Sequence, residues 1–168
     1  MKRSGPIVIT GFMGCGKSKV AHELALRRNT AMVDLDEWIR TRVGRSPAQL
    51  INEEGEPAFR VIETNALREL LHSDDAGVIA LGGGAWIEEA NRELIGRYKC
   101  TTVWLDTPFP ICWERIEASE EDRPLGRTRE DAEERYNLRR PIYALAQLHI
   151  AVGAEETVDD LVDRIHMM

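Results

Sequence analysis

The chemistry most plainly written into this chain of 168 residues lies at Gly11-Phe12-Met13-Gly14-Cys15-Gly16-Lys17-Ser18. The spacing is G-x-x-x-x-G-K-[ST], a loop whose backbone N–H groups turn inward around phosphate oxygens. Its glycines stand where side chains would block that approach. Lys17 can reach the β/γ-phosphates and the Ser18 hydroxyl can ligate Mg²⁺, so Gly14, Cys15, Gly16, Lys17, Ser18 and Lys19 are candidate contacts to a nucleoside triphosphate. A glycine-rich turn can also be a mere connection. Here it has the apolar run Ile7-Val8-Ile9 before it and a helical stretch, Lys19–Arg28, after it. A helix starting near Lys17 would add its free N–H donors and positive dipole end.

Four further groups of residues bear on what the phosphate would do. Asp34-Leu35-Asp36 follows a short apolar run, and alternation along a strand end would put both carboxylates on one side. One can hold Mg²⁺, directly or through water; the other can accept a hydrogen bond from a substrate hydroxyl and act as its base. The same pattern also occurs as a solvated turn. Gly82-Gly83-Gly84 is either a turn or a floor that lets a substrate approach the backbone. Arg60 has Glu63 three residues on, within reach on a helix, and Arg139-Arg140-Pro141 lies far along the chain. Separately these are a surface pair and a solvated helix end; together Arg60 and Arg139 would clamp a carboxylate bidentately. Arg123, in the acidic stretch Ser119–Leu125, could swing onto a transferring phosphate.

These groups need a frame. Short apolar runs at 31–33, 78–81, 102–105 and 149–152 join the first to make five strands, alternating with helical patterns. Helical spacing is clearest in Val20, Ala21, Leu24 and Ala25, in Phe59, Ile62, Ala66, Leu67 and Leu70, and in Val158, Leu161, Val162 and Ile165. Start signals are Ser46-Pro47 with Gln49, Thr107-Pro108 and Thr157. A helix is expected around Glu88–Arg97. Another spans Thr128–Ala146 with an interruption near Pro141, and Ala118–Arg129 reads as an exposed mobile loop. The fold class is α/β with a parallel sheet, in one domain. In such sheets ligands bind beyond the carboxyl ends of the strands, which is where the loop, the acid pair and the triple glycine all fall.

Composition narrows the partners. With 43% hydrophobic and 30% charged residues the chain is an ordinary globular one. Its formal net charge of −7 argues against a nucleic-acid surface. No run nears the ~20 apolar residues of a membrane span, and no signal peptide is recognisable. Three scattered cysteines suggest neither disulfides nor zinc, with Cys15 a small filler of the loop, and four histidines read as surface or cap residues. A monomer in a reducing cytoplasm is the expectation.

Taken together, Gly11–Ser18, Asp34-Leu35-Asp36, Phe59-Arg60-Val61-Ile62-Glu63, Leu81-Gly82-Gly83-Gly84-Ala85, Arg123-Pro124-Leu125 and Arg139-Arg140-Pro141-Ile142-Tyr143 resemble the motif series of the shikimate kinases. These are small P-loop kinases related in fold to the nucleoside monophosphate kinases, and the likeness runs from Ile7 to Ile165. It implies a three-layer fold with strand order 2-3-1-4-5, a substrate-binding insert at about 34–63 and a lid at about 117–129. It implies transfer of phosphate from MgATP to the 3-hydroxyl of shikimate, in the pathway to aromatic amino acids. By this resemblance Lys17 and Ser18 bind phosphate and Mg²⁺, Asp34 is the metal-side carboxylate and Asp36 the substrate-binding base. Arg60 and Arg139 bind the shikimate carboxylate, with Glu63 aiming Arg60; Gly82, Gly83 and Gly84 line the substrate. Arg123 is the lid arginine and Arg115 the candidate beside adenine.

The chain departs from the family at Lys19 (usually Thr), Ile51 (often Phe), Gly126 (often Leu) and the apolar Val152-Gly153-Ala154. A gluconate kinase shares the loop without needing two arginines. A regulatory module that had lost catalysis would not be expected to keep Lys17, Asp34, Asp36, Arg60, Arg123 and Arg139 all intact.

Overall fold

Strands buried on both faces need helices to cover them, and the chain supplies these by alternation. The computed structural model describes residues 5–168, so Met1–Ser4 of the expected domain lie outside the described residues. The elements are β1 (Ile7–Thr10), α1 (Lys17–Arg27), β2 (Met32–Asp34), α2 (Leu35–Val43), α3 (Pro47–Glu54), α4 (Glu56–Ser73) and β3 (Val78–Ala80). After these come a 3-10 turn (Ala85–Ile87), α5 (Glu89–Arg97), β4 (Thr101–Asp106), α6 (Phe109–Ala118), α7 (Arg129–Tyr143), β5 (Leu148–Ala151) and α8 (Val158–His166). The five strands form one parallel sheet in the order β2-β3-β1-β4-β5, as the family resemblance implied.

β1 is the middle strand, with Ile7 opposite Val78 on one side and Thr101 on the other. The loop after it therefore opens at the centre of the sheet's carboxyl edge, between the ends of β3 and β4, with the end of β2 beyond β3. The core forms around Val8, Ile9, Ile79, Val103 and Leu105, all buried. The apolar stripe of α1 (Val20, Ala21, Leu24, Ala25) is buried as its spacing predicted, and α1 packs against α8. Ser46 and Thr157 both close capping boxes, at the starts of α3 and α8.

Three expectations are corrected. β2 ends at Asp34, which caps α2: its Oδ1 accepts from Asp36 N at 2.9 Å and from Glu37 N at 3.3 Å. Asp is a strong N-cap, so Asp36 sits on the first turn of a helix, and strand alternation does not orient it. α7 runs through Pro141 without a break, because only two helical residues follow and Ala144 N still reaches Arg140 O. The helix expected around Glu88–Arg97 is present as α5, with a tight turn at Ala85–Ile87 before it. Within the loop 118–129, Gly126 is buried and Arg123, Pro124 and Leu125 are half-buried, so its centre faces protein rather than water.

One polar cluster ties the edge of the sheet and was not foreseen. At the end of β4, Asp106 accepts from Arg140 Nη2 at 2.6 Å and lies 2.8 Å from His149 Nε2. His149 itself stacks on Trp104. Burial would push the Asp106 carboxyl up, but Arg140 and His149 outweigh it and hold it below the usual range. A carboxylate depressed on folding stabilises above its unfolded value and loses that contribution as pH falls through the folded one. Asp106→Ala is therefore expected to cost about 1–2 kcal/mol at pH 7. The difference from the unmutated protein shrinks toward acid pH in denaturant melts; an equal loss at pH 7 and in acid would contradict the ion-pair origin.

Candidate active site

The loop after β1 is shaped by its glycines. Gly16 caps α1 with φ at +99°, a conformation that side chains resist. Lys17 Nζ reaches back to donate to Gly11 O at 2.9 Å and Phe12 O at 3.0 Å. The Thr107 hydroxyl pins the loop from β4's end by donating to Cys15 O at 3.0 Å. Cys15 is buried, the filler that the sequence suggested. Arg115 Nη1 donates to Gly14 O at 3.1 Å, which lays its guanidinium against the loop from α6. Lys19, the third residue of α1, is exposed.

Ser18 Oγ donates to Asp34 Oδ2 at 2.7 Å. Asp34 thus holds α2 with one oxygen and faces the phosphate loop with the other. A hydroxyl and a carboxylate side by side form the oxygen pair that a hard divalent cation takes.

Beside the loop lies a pocket of about 110 Å³. Asp36, Arg60, Arg139 and the three glycines line it, and Arg123, Pro124 and Leu125 of the loop 118–129 form another part of its wall. The Asp36 carboxyl is pushed up to about 7. Burial is the largest cause, followed by the charges of Asp34 and Glu63, with Lys17 opposing. A carboxyl poised near neutrality suits a general base working there.

The triple glycine turns out to make room for protein groups. A Cβ on Gly82 would lie 2.7 Å from Asp36 Oδ1, and one on Gly84 would collide with the Arg60 guanidinium. None of the three has the left-handed φ that glycine alone favours, so space is what they provide. Tyr143 OH donates to Gly83 O and fixes the floor from α7.

The two arginines differ. Arg60 Nη1 donates to Glu63 Oε1 at 2.8 Å and Nη2 to Glu56 Oε1 at 3.3 Å. Burial works against its charge, but Glu63 and Glu56 outweigh it and leave the guanidinium raised. Arg139, only 7% exposed, has no ion-pair partner among the described residues. Burial draws it below the usual arginine value. The Tyr143 side chain offsets part of that burial, but a buried guanidinium without a carboxylate in contact is costly and attracts an anion that enters the pocket. In the loop 118–129, Arg123 Nη2 donates to Glu121 Oε2 at 3.2 Å while its buried Nε has no partner.

The structure thus gathers Asp36, Arg60, Gly82–Gly84, Arg123 and Arg139 in one pocket, with Lys17, Ser18 and Asp34 next to it. Arg115 and Lys19 lie on the loop's other side or surface. Sequence reading missed Glu56, although its place four residues before Arg60 was a usable signal. It also missed Met13 and Pro47 as lining residues; no local pattern pointed to them.

The shikimate kinase family model matches residues 13–168. A shikimate kinase of Streptococcus thermophilus is 37% identical over 149 residues, covering 86% of this chain and 89% of that protein. Among solved structures, the shikimate kinase of Acinetobacter baumannii in complex with shikimate aligns with a TM-score of 0.88 at 30% identity, over 97% of this chain and 91% of that one. The shikimate kinase of Bacteroides thetaiotaomicron aligns with a TM-score of 0.84 at 27% identity, over 97% of both chains. A gluconokinase from Sinorhizobium meliloti shares only the fold, at 16% identity and a TM-score of 0.64.

Proposed function

The chain belongs to the shikimate kinase family, and from that premise we propose that it transfers the γ-phosphoryl group of ATP, with Mg²⁺, to the 3-hydroxyl of shikimate. The observation that carries this reading is Arg139, buried and without a salt-bridged carboxylate among the described residues, in one pocket with Arg60 and the raised carboxyl of Asp36. That pairing of two guanidinium groups with a poised carboxylate fits a small acceptor bearing both a carboxylate and hydroxyls.

In this reading Arg60 and Arg139 hold the shikimate carboxylate, and Gly82–Gly84 line the ring. Asp36 accepts a hydrogen bond from the reacting hydroxyl and takes its proton as oxygen attacks the γ-phosphorus. The bond to the β–γ bridging oxygen breaks, and ADP leaves. Lys17 exchanges its bonds to Gly11 O and Phe12 O for phosphate oxygens, joined by the N–H groups of Gly14–Ser18. Arg123 meets the charge that spreads over the transferring group, and Arg115 and Lys19 flank the nucleotide. Ser18 would hold Mg²⁺, with Asp34 binding it directly or through water; the ion neutralises phosphate charge.

The reading extends to one P-loop kinase domain, with the insert at about 34–63 and the lid at about 117–129, acting as a monomer in the cytoplasm. A single sheet and three free, buried cysteines support it. Among the described residues no helix is long and apolar enough to cross a membrane, and the acidic balance speaks against nucleic acid.

A coupled ADP-release assay offering shikimate, gluconate and nucleoside monophosphates in parallel tests the function. Turnover with Mg²⁺ and ATP that depends on shikimate alone is expected; none with shikimate, or equal use of gluconate, would overturn it. In the same assay Gly84→Ala, which drives Arg60 off its seat, is expected to raise half-saturation for shikimate roughly tenfold, with a smaller change in kcat. Combined with Arg60→Ala it adds little, because both act on one contact. Full additivity would separate Gly84 from Arg60.

A further inference from the structure

Helix α3 and the lid meet at a three-membered cluster outside the pocket. Asn52 Nδ2 donates to Asp122 Oδ2 at 2.8 Å, and Asn52 Oδ1 accepts from Arg127 Nη2 at 3.0 Å. Asp122 and Arg127 are themselves 3.5 Å apart. An amide can donate to a carboxylate and accept from a guanidinium at once; Asp or Lys at this position would satisfy one partner and repel the other.

The cluster's place gives it a role. Asp122 and Arg127 bracket Arg123, Pro124 and Leu125, the lid residues in the pocket wall. Asn52 follows Ile51 on α3, and Ile51 and Pro47 line the same pocket. A cleft of about 490 Å³ between α3 and the lid shares Asp36, Pro47, Arg123 and Pro124 with the pocket, and Asn52 and Asp122 border it. Asn52 thus grips the lid on both sides of the segment that covers the pocket.

We propose that Asn52 is a positioning residue for the reaction: through Asp122 and Arg127 it latches the lid to the helix that lines the acceptor pocket, and so holds Arg123 over the transferring group. The proposal rests on the reading of the pocket as the acceptor site. The latch acts chiefly on kcat, since Arg123 serves the transition state, while acceptor half-saturation, set by Arg60 and Arg139, changes less.

The test compares the unmutated protein, Asn52→Ala, Asp122→Ala, and the swap Asn52→Asp with Asp122→Asn, which reverses donor and acceptor and keeps a carboxylate for Arg127. Amide hydrogen exchange across residues 119–128 reads the latch without turnover, and shikimate-dependent ADP release reads its consequence. Each alanine variant is expected to speed lid exchange several-fold and lower kcat about three- to tenfold, with half-saturation for shikimate moving less than twofold. The swap restores both toward the unmutated values. Unchanged exchange and kcat in Asn52→Ala would overturn the proposal, as would a swap that fails to recover either. Because Asn52 is exposed, folding is expected to survive; if it does not, Asp122→Ala asks the same question from the lid. An unmutated protein that releases no ADP with shikimate would instead refute the acceptor reading, with the exchange data still deciding the latch.

Discussion

Asp36→Asn is expected to lower shikimate-dependent turnover by about 10³-fold or more while leaving ATP affinity within roughly twofold. Loss of a positioned base accounts for effects of about 10²–10⁴, and the carboxylates near Asp36 among the described residues are engaged elsewhere, Glu63 with Arg60 and Glu121 with Arg123. Asp34 is already committed to the start of α2 and to Ser18. The substitution keeps the side chain's shape, and the contact from the Asp36 backbone N–H to Asp34 is untouched. Burial and the charges of Asp34 and Glu63 push the Asp36 carboxyl up to about 7, so its ionised form is disfavoured in the folded protein and removing its charge spares the fold. Single-turnover kinetics with calorimetric ATP binding would check this. A variant that kept a tenth or more of the rate would place the base elsewhere.

Arg139→Met is expected to raise half-saturation for shikimate about 10²-fold without lowering Tm. Losing one partner of a desolvated charge pair costs about 2–5 kcal/mol in binding. Stability moves the other way. Arg139 is buried without an ion-pair partner among the described residues, and Tyr143 and the nearby charge of Glu63 offset its burial only in part, so an apolar side chain of similar length removes an incompletely compensated charge. Tm therefore holds or rises. Arg60 is the contrast, because Glu63 is 1% exposed and hydrogen-bonded to it. Removing Arg60 strands that carboxylate, so Arg60→Ala weakens both binding and folding. Thermal melts beside acceptor titrations separate the two arginines. A Tm several degrees lower with unchanged half-saturation in Arg139→Met would make Arg139 structural.

Much of this site could be read from the chain because its parts sit at strand ends and at helix spacing. The G-x-x-x-x-G-K-S loop announced itself, and the strands were visible as short apolar runs. Arg60 and Glu63 were legible as neighbours on a helix. The role of Gly82–Gly84 was not, because the groups that need the space, Asp36 and Arg60, come from other elements. Asp-x-Asp was read as a strand end since Val33 continued an apolar run, whereas the capping strength of Asp34 started a helix one residue later. Nothing local could show that Arg139 lacks a carboxylate partner, or that Asn52 meets Asp122 and Arg127. Those facts depend on chain segments 70 or more residues apart being brought together.

Central to the whole account is that the pocket selects its acceptor by the carboxylate. Turnover of shikimate compared with its methyl ester tests that most directly, since the ester keeps every hydroxyl and loses only the anion. With the unmutated protein kcat/KM for the ester is predicted to fall about 10²-fold below that for the acid, and in Arg139→Met the two substrates converge. Equal use of acid and ester by the unmutated protein would contradict the account.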